Sequence, residues 1–276
     1  MASPDVMTRT ASLMLEHAAA GAIVAAAIAV VARRFRSLST SGAVAAIIVG
    51  SASAAAGWKW GALLVAYFVA AVLLSRLGRT EKERLTSGVV AKGGARDATQ
   101  VIANGGVFAA SVLLGQVGSG RFGVTMGIAA LGALAAAAAD TWATELGTLY
   151  GGTPRSLLTF RRLPSGTSGG VSVIGSLAMI AGAAFIACVA KGFGLPDGAG
   201  IVTAAGVSGA MADSLLGATV QERRWCFTCE KASERRVHDC GARTVPAGGR
   251  EWMDNDLVNL IATVIGAGVA ALLANL

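Results

Sequence analysis

Long apolar runs alternate with short polar intervals along the whole chain. A helix needs roughly 20 mostly apolar residues to cross a hydrocarbon core of about 30 Å. Runs near that length fall at about 13–32, 42–57, 60–75, 98–117, 122–149, 171–190, 199–220 and 257–275, the second and third being the shortest. They predict an all-α, polytopic transmembrane bundle of about eight spans. The first run carries Glu16 and His17 and lacks a basic leader region, so it reads as a retained span rather than a signal peptide. The sizeable intervals are 77–97, 150–170 and 221–253. The pattern predicts one integral-membrane domain over 1–276, with 221–253 as a small Cys/His insert.

Basic residues set the orientation, because Lys and Arg near span ends are retained in the cytoplasm during insertion. Nineteen of the 23 lie in alternate intervals: Arg33 to Arg36, Arg76 to Arg96, Arg155 to Arg162 and Arg223 to Arg250. The other side holds Arg9, Lys59, Arg121 and Lys191. Both termini are therefore expected outside and the four basic loops in the cytoplasm, with a bacterial inner membrane as the expected location.

Composition agrees with this class: 54% of the 276 residues are hydrophobic and 14% are charged, well below the quarter usual for soluble domains. The net charge of +7 is spread over short loops without interleaved aromatics. It points to anionic headgroups or a phosphorylated substrate, with no nucleic-acid partner. The 37 glycines, with alanine, let helix backbones approach closely where lipid gives no hydrophobic drive. Trp58, Trp60 and Tyr67 suit an interfacial aromatic belt, and Cys188 suits core packing.

Acids inside spans cost about 2.5–3.5 kcal/mol on insertion scales and need a reason. Asp140 and Asp213 fall in the cytoplasmic halves of outward-to-inward helices. Those helix ends are electronegative, so carboxylates there favour a cation between them, and oxygen ligands suit Mg²⁺. Glu145 is added as a candidate ligand, although it lies about 140° round the helix from Asp140. A hydrogen-bonded Asp pair cementing the bundle is the alternative. Helices of the opposite direction begin beside glycine-rich segments: Lys92, Gly93, Gly94, Arg96 and Asp97, followed by Gln100 and Asn104; and Gly166, Thr167, Ser168, Gly169, Gly170 and Ser172. Free N–H groups at helix N-termini attract anions, and Lys92 and Arg96 add charge. The spacing of a P-loop is absent. Before the last run stand Asp254 and Asp256, either as caps or as further metal ligands, then Asn259.

In the insert, Cys226, Cys229, His238 and Cys240 place four soft ligands within 15 residues, the donor set of a structural Zn²⁺ site. A cytoplasmic loop argues against a disulfide.

Five ordered stretches carry a resemblance: Lys92 to Gly105, Ala139 to Gly147, Gly166 to Ser172, Asp213 to Ala218 and Asn255 to Asn259. Together they resemble the integral-membrane family that includes the plant phytyl-phosphate kinase of vitamin E synthesis, over roughly residues 35–275. Asp140, Ala143, Gly147 and Gly151, followed by Gly166-Thr167 and Gly169-Gly170, are more distantly similar to dolichol kinase and phosphatidate cytidylyltransferase. The resemblance implies a CTP- and Mg²⁺-dependent phosphotransferase acting on an isoprenyl monophosphate such as phytyl or geranylgeranyl phosphate. In that reading Asp140, Asp213, Glu145 and Asp256 hold Mg²⁺ and Lys92 and Arg96 neutralise phosphate charge. Thr141, Thr144, Asn259 and the two glycine-rich segments bind nucleotide and phosphate. A cytidylyltransferase making a CDP-lipid and an ion-coupled transporter remain as alternatives.

Overall fold

The computed structural model describes residues 4–86, 89, 94–118 and 120–276. Among them the apolar runs become α1 (Pro4–Arg34), α2 (Thr40–Ala55), α3 (Trp58–Arg76), α5 (Ala98–Val117), α6 (Arg121–Tyr150), α7 (Val173–Gly192), α8 (Ala199–Thr219) and α9 (Asn255–Leu273). Seven are long and apolar enough to cross a membrane; α2, with 16 residues, is the shorter exception. At 1.5 Å per residue α2 covers about 24 Å. A short polar helix, α4 (Arg79–Thr86), was not expected from the sequence. The chain is a polytopic helical membrane protein.

Helix α6 is the axis of the bundle. Its stretch Ile128 to Ala139 is buried all round, and α3, α5, α7, α8 and α9 pack on it. Alanine and glycine dominate that stretch because neighbouring backbones come too close for anything larger. A Cβ on Gly132 would meet the Gly266 carbonyl oxygen at 2.5 Å, and one on Gly209 would meet the Ala262 carbonyl oxygen at 2.7 Å. Such direct backbone contact replaces the hydrophobic drive that lipid cannot supply. Helices α1 and α2 form an antiparallel hairpin at the side, with α2 also against α3 and α5.

The helix ends sort into two sets. At one end, Arg76 donates to the Phe35 carbonyl (2.9 Å), Ser39 N to the Arg96 carbonyl (2.9 Å), and Thr99 meets Asp256. At the other, Arg121 bonds Asn275 (2.9 Å) and His17 packs on Trp58 at 5.8 Å. The described parts of the basic intervals and of both glycine-rich segments therefore share one end of the bundle.

That end also carries two small sheets. Strands β1 (Arg155–Ser156) and β2 (Gly170–Val171) pair antiparallel, and β3 (Arg223–Cys226) is flanked by β4 (Lys231–Ser233) and β5 (Val245–Gly248). The second sheet forms the insert between α8 and α9. Its neck is closed by Glu222 N to the Met253 carbonyl (2.8 Å) and Arg250 N to the Val220 carbonyl (2.9 Å).

Aromatic placement corrects two sequence expectations. Trp60 is buried edge-on to Phe108 at 6.0 Å, and Tyr67 lies inside the bundle rather than in a belt. Nine residues into α3, Tyr67 is too deep for the interface. Cys188 is exposed on the outer face of α7 rather than in the core.

Candidate phosphate and metal site

The site grows from three helix starts and two helix ends. Asp97 caps α5: its carboxylate accepts from Gln100 N (3.1 Å) while Gln100 Oε1 accepts from Asp97 N (3.1 Å), a reciprocal pair that satisfies two otherwise open donors. Asp254 caps α9 by accepting from Leu257 N (3.0 Å), so Asp256 is left for other work. Thr99, which the sequence reading did not single out, lies 2.7 Å from Asp97 Oδ1 and 2.7 Å from Asp256 Oδ2. Its one proton can serve one carboxylate at a time. Ser172 caps α7 by accepting from Gly175 N (3.1 Å).

Arg96 is held by its backbone. Its N–H donates to the Ser37 carbonyl (3.0 Å), and a Cβ on Gly42 would strike the Arg96 carbonyl oxygen at 2.0 Å. The Tyr67 hydroxyl lies beside Thr141 and within electrostatic reach of both Arg96 and Asp140. Asp140 and Asp213 interact electrostatically across the α6–α8 contact, and Asp213 also feels Glu234 of the insert. Asp213 Oδ2 is buried and has no hydrogen-bond partner. An orphaned carboxylate oxygen beside a second acid is costly unless a cation or ligand meets it. Among the described residues, the carboxylates form no group of three close enough to hold an ion unaided. Mg²⁺ is commonly bound by one or two carboxylates with phosphate oxygens and water completing the shell, so the Asp140 and Asp213 pair fits it.

Arg96, Gln100, Asn104 and Tyr67 form the polar part of a partly open cavity. The rest of its wall is apolar and comes from α1, α2, α3 and α5, including Ile28, Val49, Leu64, Val65 and Phe68. An apolar wall with a few convergent polar groups is the character of a small-ligand pocket.

The Gly166 to Ser172 segment lies against the ends of α6 and α8. Gly169 holds φ +76° and lies so near the end of α8 that a Cβ would sit 2.5 Å from the Ala218 Cα and Cβ. Ser168 Oγ donates to Glu234, and Thr167 Oγ1 is buried without a partner. Gly166 also has positive φ, and Gly170 enters β2.

The remaining candidates are placed as follows. Lys92 and Gly93 lie outside the described residues. Gly94 adopts φ +103° in open space before Arg96. Thr144 is exposed one turn after Asp140, and Asn259 is half-buried one turn after Asp256. Glu145 is engaged by Lys82, whose ammonium also reaches the carbonyls of Leu74 (2.8 Å) and Ser75 (3.2 Å) at the end of α3. Lys82 was legible only as one more basic loop residue, yet it is buried.

In the insert the four metal-ligating atoms of Cys226, Cys229, His238 and Cys240 lie within 4.8 Å of one another. The Cys226 and Cys240 sulfurs are 3.7 Å apart, and His238 Nδ1 is 3.4 Å from the Cys240 sulfur. A tetrahedron with Zn–S bonds of about 2.3 Å has edges of roughly 3.8 Å, so the spacing matches. Donation from the Ala242 backbone, and then from His238 and Cys229, lowers the Cys240 thiol pKa to about 6, which favours its thiolate at neutral pH.

The fold and this polar end define a polytopic helical membrane protein whose acids, bases and glycine-rich turns gather at one face. The chain belongs to the family described as integral membrane protein DUF92, whose model matches residues 23–267. It is 28% identical to Protein PGR of Arabidopsis thaliana over 88% of this chain and 91% of that protein. It is 30% identical to an uncharacterized membrane protein of Methanocaldococcus jannaschii over 79% of this chain and 77% of that one. Against Protein VTE6, chloroplastic, of Arabidopsis thaliana, identity is 29% over 76% of this chain and 57% of that protein. No solved structure matches.

Proposed function

We propose that the protein is a CTP-dependent prenyl-phosphate kinase that converts an isoprenyl monophosphate, of the phytyl or geranylgeranyl kind, into its diphosphate. One arrangement supports the reading: an apolar cavity whose polar wall, Arg96, Gln100, Asn104 and Tyr67, runs through Thr141 to the half-buried acids Asp140 and Asp213. A branched hydrocarbon tail suits the apolar part, and a phosphate on that tail suits Arg96. The family resemblance drawn from the five sequence motifs supports the same substrate class.

In the reaction an oxygen of the acceptor phosphate attacks the γ-phosphorus of CTP. The bond from that phosphorus to the β-bridging oxygen breaks, and CDP leaves with the electron pair. Transfers of this type are mostly positioning and charge stabilisation, so no covalent nucleophile is needed. Arg96, held at its backbone by Ser37 and Ser39, would orient the acceptor phosphate. Free amides at the start of α7 and the turn from Gly166 to Gly170 would receive nucleotide phosphates. Asp140 and Asp213 would hold Mg²⁺, which supplies neutralisation of phosphate charge when bound. Small residues at Gly147 and Gly151 let the Ser172 cap approach the end of α6.

The test is to supply purified protein with CTP, Mg²⁺ and a panel of prenyl alcohols and monophosphates, and to identify both products. Prenyl diphosphate with CDP is expected. Pyrophosphate with a CDP-lipid would instead assign a cytidylyltransferase, and ion flux into liposomes without nucleotide turnover would assign a transporter.

A further inference from the structure

The insert between α8 and α9 has almost no core of its own. Among the described residues 221–252, Cys226 is the one buried apolar side chain, while Phe227, Val237, Val245 and Trp252 are exposed. Strands of three or four residues with no apolar core do not hold a fold by burial. Yet this insert places one side chain with several constraints. Glu234 accepts from Ser168 of the glycine-rich turn and from Gln221 Nε2 (3.1 Å) just past α8, and its backbone N–H donates to the Val89 carbonyl (2.8 Å). Glu234 also lies within electrostatic reach of Asp213.

Its position in the chain explains how it gets there. Cys226 ends β3 and pairs in register with Lys231, Cys229 lies in the turn between them, and β4 delivers the chain to Glu234. Four residues later the second ligand pair, His238 and Cys240, brings the chain back to the first. Glu234 is therefore flanked on both sides by residues of one four-atom cluster. His238 Nδ1, 3.4 Å from the Cys240 sulfur, faces the same spot.

We propose that Cys226, Cys229, His238 and Cys240 bind one structural Zn²⁺, and that this ion holds Glu234 as the brace fixing the Gly166 to Ser172 turn against the end of α8. Three sulfurs and one imidazole at tetrahedral spacing select Zn²⁺ over the hard cations used with phosphate. Binding requires the thiolate and neutral imidazole forms, so metal uptake displaces the thiol protons and contributes directly to folding of the insert. Glu234 is a positioning residue that acts through Ser168. The inference rests on the reading of that turn as the phosphate-facing segment, but its geometry does not need nucleotide.

The full chain, purified in detergent without added nucleotide, is analysed for metal and for amide hydrogen exchange. About one zinc per chain is expected, with near-complete loss in Cys229→Ser and after treatment with a zinc chelator. On zinc loss, amides of residues 166–172 should exchange at least about tenfold faster, the size expected for losing a charge-assisted hydrogen bond. Amides in the middle of α6 should be unchanged. Glu234→Ala should keep its zinc and still show the faster exchange at 166–172. A chain without stoichiometric zinc would overturn the proposal, as would zinc removal that leaves exchange at 166–172 unaltered. Zinc and protection as expected, with no binding of CTP, would leave the brace standing and defeat the nucleotide reading alone.

Discussion

Thr99 Oγ1 and Asp256 Oδ2 lie 2.7 Å apart although 157 positions separate them in the chain. The contact joins the start of α5 to the start of α9 and holds one candidate acid at the end of the bundle that carries Arg96. Thr99→Val keeps the shape and removes the donor to a buried carboxylate. A loss of about 1–3 kcal/mol in stability is expected, read by denaturation in detergent. A variant as stable as the parent would show that the hydroxyl is dispensable.

Lys82 and Glu145 form an ion pair whose side chains are only 10% and 22% exposed. Removing one partner strands a largely buried charge. Lys82→Met should cost about 3 kcal/mol and lower the yield of folded protein. The double variant Lys82→Met with Glu145→Leu should recover most of that loss, since an apolar pair of similar size can replace a buried salt bridge. Failure of the double variant to recover would mean that Glu145 has a role beyond the pair.

The eight apolar helices were legible because each is a run between charge clusters, and their ends fell within a few residues of expectation except the start of α1, which begins at Pro4 rather than near 13. The alternation of basic loops likewise placed both glycine-rich turns at one end with the acids. What escaped was tertiary. α4 is short and polar, so it read as loop, and its Lys82 read as one of many basic residues. Tyr67 read as a belt aromatic because composition cannot tell depth along a helix; its pairing with Thr141 depends on how α3 crosses α6. Glu234 and Thr99 carried no signal in spacing, because each gains its partners only when segments distant in the chain meet.

Gly169 combines a left-handed backbone with a close approach to α8. Gly169→Ala sets a Cβ where the Ala218 backbone already lies and adds about 1–2 kcal/mol of backbone strain. The turn should shift, and CTP affinity measured by calorimetry should fall about tenfold or more, while the helical content seen by circular dichroism stays the same.

Arg96 is expected to meet the acceptor phosphate rather than the nucleotide. Arg96→Met should raise KM for the prenyl phosphate by about 10- to 100-fold, the worth of a lost charge-assisted hydrogen bond, with a much smaller change for CTP. Equal changes for both substrates would move Arg96 to the nucleotide side.

Opposed helix ends at the basic face, with Asp140 and Asp213 as the cation-holding pair, form the centre of the account. Its most direct measurement is turnover of CTP and prenyl phosphate by Asp213→Asn, alongside Mg²⁺-dependent nucleotide binding by the same variant. Asparagine keeps the size and removes the charge that would hold the ion. Turnover is expected to fall by at least about 10³-fold, with binding no longer responsive to Mg²⁺ and the protein still folded. A folded variant with parental turnover and parental Mg²⁺ dependence would contradict the account.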